Sequence, residues 1–428
     1  MKKAVSALLN NLEKPVALRN IWLLAIVLRV GYIVLVTPPP TADFLDYHEL
    51  ATRLADGQGY IWENGTSTAY RAIGYPAFLA GVYSITGPSI QAGQLANTIL
   101  CLLALWLAYQ LARNVLKHEL AARLALLALA VHPNGIAYCG LLASEPLSLC
   151  ALLGAVLVWK KAQTAQKAIP WIILCGVLFA IATYTKPQII LIPGMLFLMP
   201  LAWQGRPSRP WLQTAGIYVV VFACIAPWTY RNYQQLGEAA FISTNGGANL
   251  YVGNSRFASG RFYWGQDVED YLAVHAPEDE MPVPAWSKRL GELAIQDMKA
   301  FPLKTALRFP KKVFFLYAAD IDGLRWSLLS YEKPVTILSV FYYALMVLGQ
   351  LWYVLVWLPF VYVIWKKSWR KLPASWGILL LPALSFTFIS LIFFGASRFH
   401  FPFLPFLVVL SAGIFDSFLR SKHSLGRG

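Results

Sequence analysis

The stretch "TPPPTADFLDYHELATRLADGQGY" (Thr37–Tyr60) follows directly on the apolar run "IWLLAIVLRVGYIVLV" (Ile21–Val36). The run has the length and composition of a helix that crosses a lipid bilayer. The next turns carry Asp43, Asp46, His48 and Glu49. Pro38, Pro39 and Pro40 end the span and force an extended connection. "TADFLDYHELATRLADG" then has helical spacing and stops at Gly57 and Gly59. Asp43, Asp46 and Leu50 share one face of that helix. Two readings compete for Asp43. It can cap the helix, with Asp46 completing a weaker capping box. It can also be a carboxylate held as a general base, tuned by a second acid or a nearby cation. Local pattern alone favours the cap, but a cap needs one acid only, so the cluster shifts the balance towards the second reading.

The rest of the chain explains why such a cluster matters. Of 428 residues, 57% are hydrophobic and 13% charged, with 16 Trp. A soluble domain carries about a quarter charged residues, so the apolar surplus calls for lipid. Spans are expected at about 21–37, 90–112, 121–139, 144–159, 169–185, 188–203, 211–229, 336–365, 375–395 and 400–419, making about ten. The expected fold is therefore an all-α polytopic membrane protein. The first span lacks a cleavage site after it, so it is read as a retained helix, not a signal peptide.

Charge sets the orientation. A cytoplasmic N-terminus with alternating spans gathers Lys2, Lys3, Lys14 and Arg19; Arg113, Lys117 and Arg123; Lys160, Lys161 and Lys167; Arg206 and Arg209; Lys366, Lys367, Arg370 and Lys371; and Arg420, Lys422 and Arg427 on one side. Only Glu13, Glu119 and Asp416 accompany them. This is positive-inside patterning. It accounts for the net charge of +15 and sets nucleic acid aside as a partner. Both termini are expected in the cytoplasm. The segments 38–89 and 230–334 fall on the opposite face. The expected division is a core at 1–229, a large loop at 230–334 and C-terminal helices at 335–428. That loop is expected to be of mixed structure. It has turn-rich "STNGGANLYVGNSRFASGRF" (243–262), acidic "APEDEMPVP" (276–284) and an amphipathic helix in which Leu290, Leu293 and Ile295 alternate with charges at roughly helical spacing.

Lone charges sit where lipid disfavours them. Arg29 lies inside the first span and is expected either to pair or to snorkel. Glu145 in "CGLLASEPLSLC", Lys186 in "ATYTKPQIIL" and Arg398 in "FFGASRFHFPFLPF" all reach the face that carries Asp43 and Asp46. Each can mark a helix end; together they make a membrane-level pocket a candidate site. Arg71 precedes Gly74-Tyr75-Pro76, a tight entry into the next helix. Cys101, Cys139, Cys150, Cys175 and Cys224 read as small hydrophobes, with Cys139 and Cys150 near enough in sequence to approach each other.

The order "ADFLDYHELATRLADGQGY", "YRAIGYPAFLAGVYSITG", "GLLASEPLSL", "YTKP", "APWTYRNYQQLGEAAFISTNGGANLYVGN", "SRFHFPFLPFL" resembles the bacterial branch of the dolichyl-phosphate-mannose–protein mannosyltransferase family, membrane glycosyltransferases of the GT-C fold. The resemblance implies transfer of a sugar from a polyprenyl-phosphate donor to a glycan, lipid or protein acceptor outside the cytoplasm, with inversion. It implies Asp43 as catalytic base, Asp46 as the alternative, and Glu145 as a second acidic position. Lys186 and Arg398 would hold the lipid phosphate, with Arg71 or Arg231. It implies the inner membrane of a bacterium as the location. No metal is expected to be obligatory, although Asp43 and Glu145 are suitable ligand types for a divalent cation. A transporter or flippase is the rival reading, and it predicts ionisable groups near the midplane and repeated halves. An anchoring subunit, the second rival, would need no matched acids and cations.

Overall fold

The computed structural model describes residues 11–197, 210–278, 281–331 and 336–425. Lys2, Lys3, Arg206, Arg209, Asp279, Glu280 and Arg427 lie outside them, as do the end of the expected 188–203 span and the 334/335 boundary. The chain runs through α1 (Pro15–Leu35), α2 (Asp43–Ala55), α3 (Gly74–Thr86), α4 (Ile90–Leu116), α5 (Glu119–Ala130), α6 (Pro133–Ala137), α7 (Glu145–Thr164), α8 (Ile169–Thr185), α9 (Ile192–Leu196) and α10 (Pro210–Leu236). It continues through α11 (Gly246–Asn254), α12 (Gln266–His275), α13 (Val283–Ala300), α14 (Pro302–Tyr317), α15 (Asp322–Leu329), α16 (Thr336–Trp365), α17 (Leu381–Ile392) and α18 (Leu404–Leu425). Among the described residues the only β pairing is a single antiparallel bridge, Ile61–Ser67.

Within the described residues, each expected span meets a helix or a broken helix. By length and apolarity alone, however, four helices qualify to cross a membrane: Pro15–Leu35, Ile90–Leu116, Trp211–Leu236 and Ile337–Trp365. The pair Glu119–Ala130 and Pro133–Gly140, bent by 59°, makes up to five. The outward sides of α1 and α16 stay apolar, as at Val27, Val34, Ile337 and Leu355. Apolar surface of that extent suits lipid, not water.

The bend after α5 organises the bundle. His132 precedes Pro133 and is extended, as the proline ring demands of its predecessor. The helix stops there, and its last carbonyls need new donors. Trp352 Nε1 supplies Ala128 at 2.9 Å. Arg29, buried in α1, donates to Leu129 at 3.1 Å and to Ala130 at 2.9 Å. Arg29 therefore neither snorkels nor meets an acid; its cation sits at the negative end of a helix. Below the bend, Asp320 is wholly buried. It meets His132 Nε2 at 2.5 Å, Asn134 Nδ2 at 2.5 Å and His400 Nε2 at 3.0 Å. This ties the α14–α15 turn to the α5–α6 bend and to the approach to α18.

The described part of the large loop combines helices with irregular stretches at 237–245 and 255–265. "GGANLYVGN" forms α11, and two of its glycines, Gly247 and Gly253, allow close packing. A Cβ on Gly247 would lie 1.8 Å from the Ser287 carbonyl oxygen, and one on Gly253 1.8 Å from that of Phe393. On α13 the inward face is Trp286, Leu290, Leu293, Ala294 and Asp297; Ile295 is turned outward, one step off that stripe. Cys139 and Cys150 are both free, each buried against a backbone carbonyl of its own.

Removing one partner from a buried charged network leaves the others unpaired, at a cost of about 3–5 kcal/mol. Asp320→Asn is expected to lower the thermal unfolding midpoint in detergent by a corresponding margin, while Asp56→Asn, on an exposed turn, leaves it unchanged.

Candidate active site

The extended Pro38–Pro40 segment delivers the chain to α2 from the end of α1. Ala42, not Asp43, occupies the cap position, and no side chain caps the helix. The Asp43 carboxylate is thereby free for long-range partners. Its Oδ1 receives Arg71 Nη2 at 2.8 Å and its Oδ2 receives Arg398 Nη1 at 2.9 Å. Asp46, one turn on, accepts Arg71 Nε at 2.7 Å. The pair of aspartates thus grips one guanidinium. The helix ends at Ala55 because Gly57 and Gly59 take φ of +74° and +96°, which side chains other than glycine's resist.

Glu145 enters from the other side, at the first position of α7 ahead of Pro146. The helix N-terminus favours an anion there. The side chain is fully buried, and its Oε1 accepts Lys186 Nζ at 2.8 Å. Arg398 adds two contacts to the same oxygen, through Nε and Nη2, each at 3.2 Å. Lys186 stands just past the end of α8. Five charges from four segments of the chain therefore meet, Asp43 and Arg71 of the first loop with Glu145, Lys186 and Arg398, and Asp46 is joined through Arg71.

Arg231 does not meet them. It donates to the carbonyls of Thr68 at 2.7 Å and Tyr60 at 2.9 Å, and its guanidinium stacks on Trp228. It fastens the first loop to α10. His48 Nδ1 pairs with Tyr83 OH at 2.8 Å, outside the cluster. Gly74 has a sharper role than a turn residue. A Cβ there would lie 2.6 Å from the carbonyl carbon of Tyr184. The missing side chain lets α3 touch the end of α8 two residues before Lys186.

The two aspartates are driven apart electrostatically. Burial pushes the Asp43 carboxyl up, but the charges of Arg398 and Arg71 outweigh it and hold the group below the usual carboxylate range. For Asp46 burial wins over Arg71, and its pKa is raised. Neighbouring carboxyls separated in this way are suited to different tasks.

Known proteins resemble this chain in part of its sequence and in its fold. The profile of the dolichyl-phosphate-mannose-protein mannosyltransferase family matches residues 70–230. That segment contains Arg71, Glu145 and Lys186. The oligosaccharyltransferase of Archaeoglobus fulgidus in its apo form superposes with a TM-score of 0.57 and 15% identity, over 97% of this chain and 52% of that one. Its complex with an inhibitory peptide and a dolichol-phosphate gives 0.53 and 16%, over 96% and 51%. The fold is the GT-C fold. The chain spans about half the length of that oligosaccharyltransferase. ArnT from Cupriavidus metallidurans bound to undecaprenyl phosphate gives 0.47 and 15%, over 94% and 78%. No curated protein sequence matches the chain.

One of the oligosaccharyltransferase structures is a complex with Zn and sulfate. In this GT-C chain the candidate ligands do not fit a cation as arranged. Both Asp43 oxygens and Glu145 Oε1 already face guanidinium or ammonium groups. Among the described residues no group of three or more His, Cys, Asp or Glu is placed to hold a metal ion.

Two clusters are not evident from the sequence, Asp320 with its histidines and the Arg308–Lys312 pair of α14. Asp320 has one legible signal, an acid in the short apolar-flanked turn "AADIDG". Arg308 and Lys312 have the pattern of ordinary surface charge.

Gly74→Ala is expected to cost about 1–3 kcal/mol by overpacking. Gly81→Ala, on the same helix with open space around it, is expected to gain up to about 1 kcal/mol through helix propensity. Paired thermal unfolding curves in detergent distinguish the two directions.

Proposed function

We propose that this GT-C chain transfers a sugar from a polyprenyl-phosphate donor to an acceptor hydroxyl at the outer face of a bacterial inner membrane, with both termini in the cytoplasm. The observation that carries the reading is Arg398, which joins Asp43 of the first loop to Glu145 of the second. An interfacial transferase needs a base beside a cationic socket for a leaving phosphate, and these residues supply both.

In this mechanism Asp43 accepts the proton of the acceptor hydroxyl. The hydroxyl oxygen forms a bond to the anomeric carbon as the bond from that carbon to the phosphate oxygen breaks. The electron pair leaves with the polyprenyl phosphate, and one displacement inverts the carbon. Arg71, Lys186 and Arg398 stabilise the charge that develops on the phosphate, a preorganised electrostatic role. Asp43 is a weak base while Arg71 and Arg398 hold it. As those cations turn to the phosphate, their pull on Asp43 falls and its basicity rises. Glu145 keeps Lys186 and Arg398 in place. Arg231 acts at a distance by fixing the first loop. The acceptor is a glycan, a lipid or a protein.

The test is release of undecaprenyl phosphate from radiolabelled lipid-linked sugars by purified protein, with products read by mass spectrometry. Asp43→Asn is expected to lower release by at least about 100-fold, the scale of a lost general base. Release unaffected by Asp43→Asn and by Asp46→Asn would reject the assignment. The acid limb gives a second check. Arg71 lowers the pKa of Asp43, so Arg71→Gln raises it, and the acid limb of the residual transfer is expected to move to higher pH. A limb that stays in place, or moves to lower pH, would separate Asp43 from the rate.

A further inference from the structure

The cations of the reaction centre are matched by acids. Arg71, Lys186 and Arg398 face Asp43, Asp46 and Glu145. A second cationic pair is not matched. Arg308 is 4% exposed and Lys312 is 0% exposed. Arg308 Nη1 donates to the backbone carbonyl of Asn254 at 3.0 Å, while its Nε and Nη2 have no partner. Lys312 Nζ donates to Asn254 Oδ1 at 2.8 Å and to the Leu391 carbonyl at 2.9 Å. These acceptors are all neutral. Asp297, the acid whose field reaches Arg308, is held by Arg256 through its side chain and backbone N–H. Two buried cations without a counterion are costly. Burial and the nearby Arg308 charge bring the Lys312 ammonium down to about 8.

The helix that carries them is inverted. On α14 the buried face is Thr305, Arg308, Lys312 and Leu316. The exposed face carries Leu303, Leu307, Phe309 and Phe314, with Lys304 and Lys311 among them. A helix with its apolar side outward lies at a hydrocarbon boundary. That boundary is where a lipid-borne anion would approach the helix. The backbone closes tightly behind the pair, since a Cβ on Gly395 would lie 1.9 Å from the Lys312 carbonyl oxygen. Gly395 lies three residues before Arg398, so the two cationic sites share one loop.

We propose that Arg308 and Lys312, with Asn254 orienting them, form a second binding site for a phosphate-type oxyanion carried by a membrane lipid. The site is separate from the Asp43–Arg398–Glu145 centre. It rests on the glycosyltransferase reading only for its use: a second lipid phosphate held beside the centre belongs to an anionic lipid acceptor or to the spent carrier on its way out. Binding itself is independent of turnover.

The experiment counts lipids. Full-length protein in detergent is titrated with undecaprenyl phosphate and analysed by native mass spectrometry, with undecaprenol and inorganic phosphate as separate arms. Two undecaprenyl phosphates per chain are expected. Lys312→Met is expected to retain one and to bind the second at least tenfold more weakly. Undecaprenol is expected not to fill the second site, and inorganic phosphate not to displace the lipid from it. A wild-type chain that holds one lipid, with its affinity unchanged by Lys312→Met, overturns the proposal. So does a Lys312→Met chain that holds as many as wild type. Full displacement by inorganic phosphate, or filling by undecaprenol, overturns the lipid-phosphate assignment. Where Lys312→Met does not fold, Arg308→Gln gives the same reading. Loss of transfer in Asp43→Asn with both lipids still bound separates this test from that of the reaction.

Discussion

Arg398 lies between two carboxylates that come from different parts of the chain, Asp43 after α1 and Glu145 at the start of α7. The contact solves a desolvation problem. Glu145 is fully buried, and an isolated carboxylate there would be far too costly. Lys186 and Arg398 offset that cost, and Arg398 passes the connection on to Asp43. Arg71 extends it to Asp46. Removing the guanidinium would leave a buried anion with one partner and release the first loop from the C-terminal segment. The proposed chemistry depends on the same feature, since a base and a phosphate socket are useful only when held together.

The rest of the fold places these charges at one end of the bundle. The break after α5 needs donors for three carbonyls, which Trp352 and Arg29 provide. Asp320 then clamps the broken end to His400, two residues past Arg398. The position of Arg398 is thus set from behind by a buried network outside the candidate site. On the other flank, Gly74 allows α3 to reach the end of α8, and Arg231 pins the loop that carries Arg71. Interior groups of this kind act through positioning, in the way outer partners orient ligands at a metal site.

Much of the candidate site was legible because charge is rare in this chain. Glu145, Lys186 and Arg398 each stand out against apolar neighbours, and the alternation of spans expected from the sequence assigns them to the face of Asp43. The helix at 43–55, its glycine stop and the amphipathic helix at 283–300 follow from local pattern. Other features depend on packing that local pattern does not encode. Asp43 has the pattern of a cap until Ala42 is seen in that position. Arg231 has the pattern of a phosphate ligand until its carbonyl partners emerge. The glycines of "GGANLYVGN" read as turn formers, yet they serve backbone contact inside and beside a helix. Arg308 and Lys312 read as the solvated face of an amphipathic helix. Only the surrounding helices show that this face is inward and the apolar one outward.

The central claim is that Arg398 couples two loops into one centre, and a double-mutant cycle measures that coupling. Thermal and denaturant unfolding in detergent would compare wild type, Asp43→Asn, Arg398→Gln and the double variant. Groups in one ion-pair network show interaction energies of about 0.5–3 kcal/mol. The account predicts a coupling in that range, with the double variant little worse than Arg398→Gln alone. Effects that add within about 0.3 kcal/mol would mean that Asp43 and Arg398 act independently, contradicting the account.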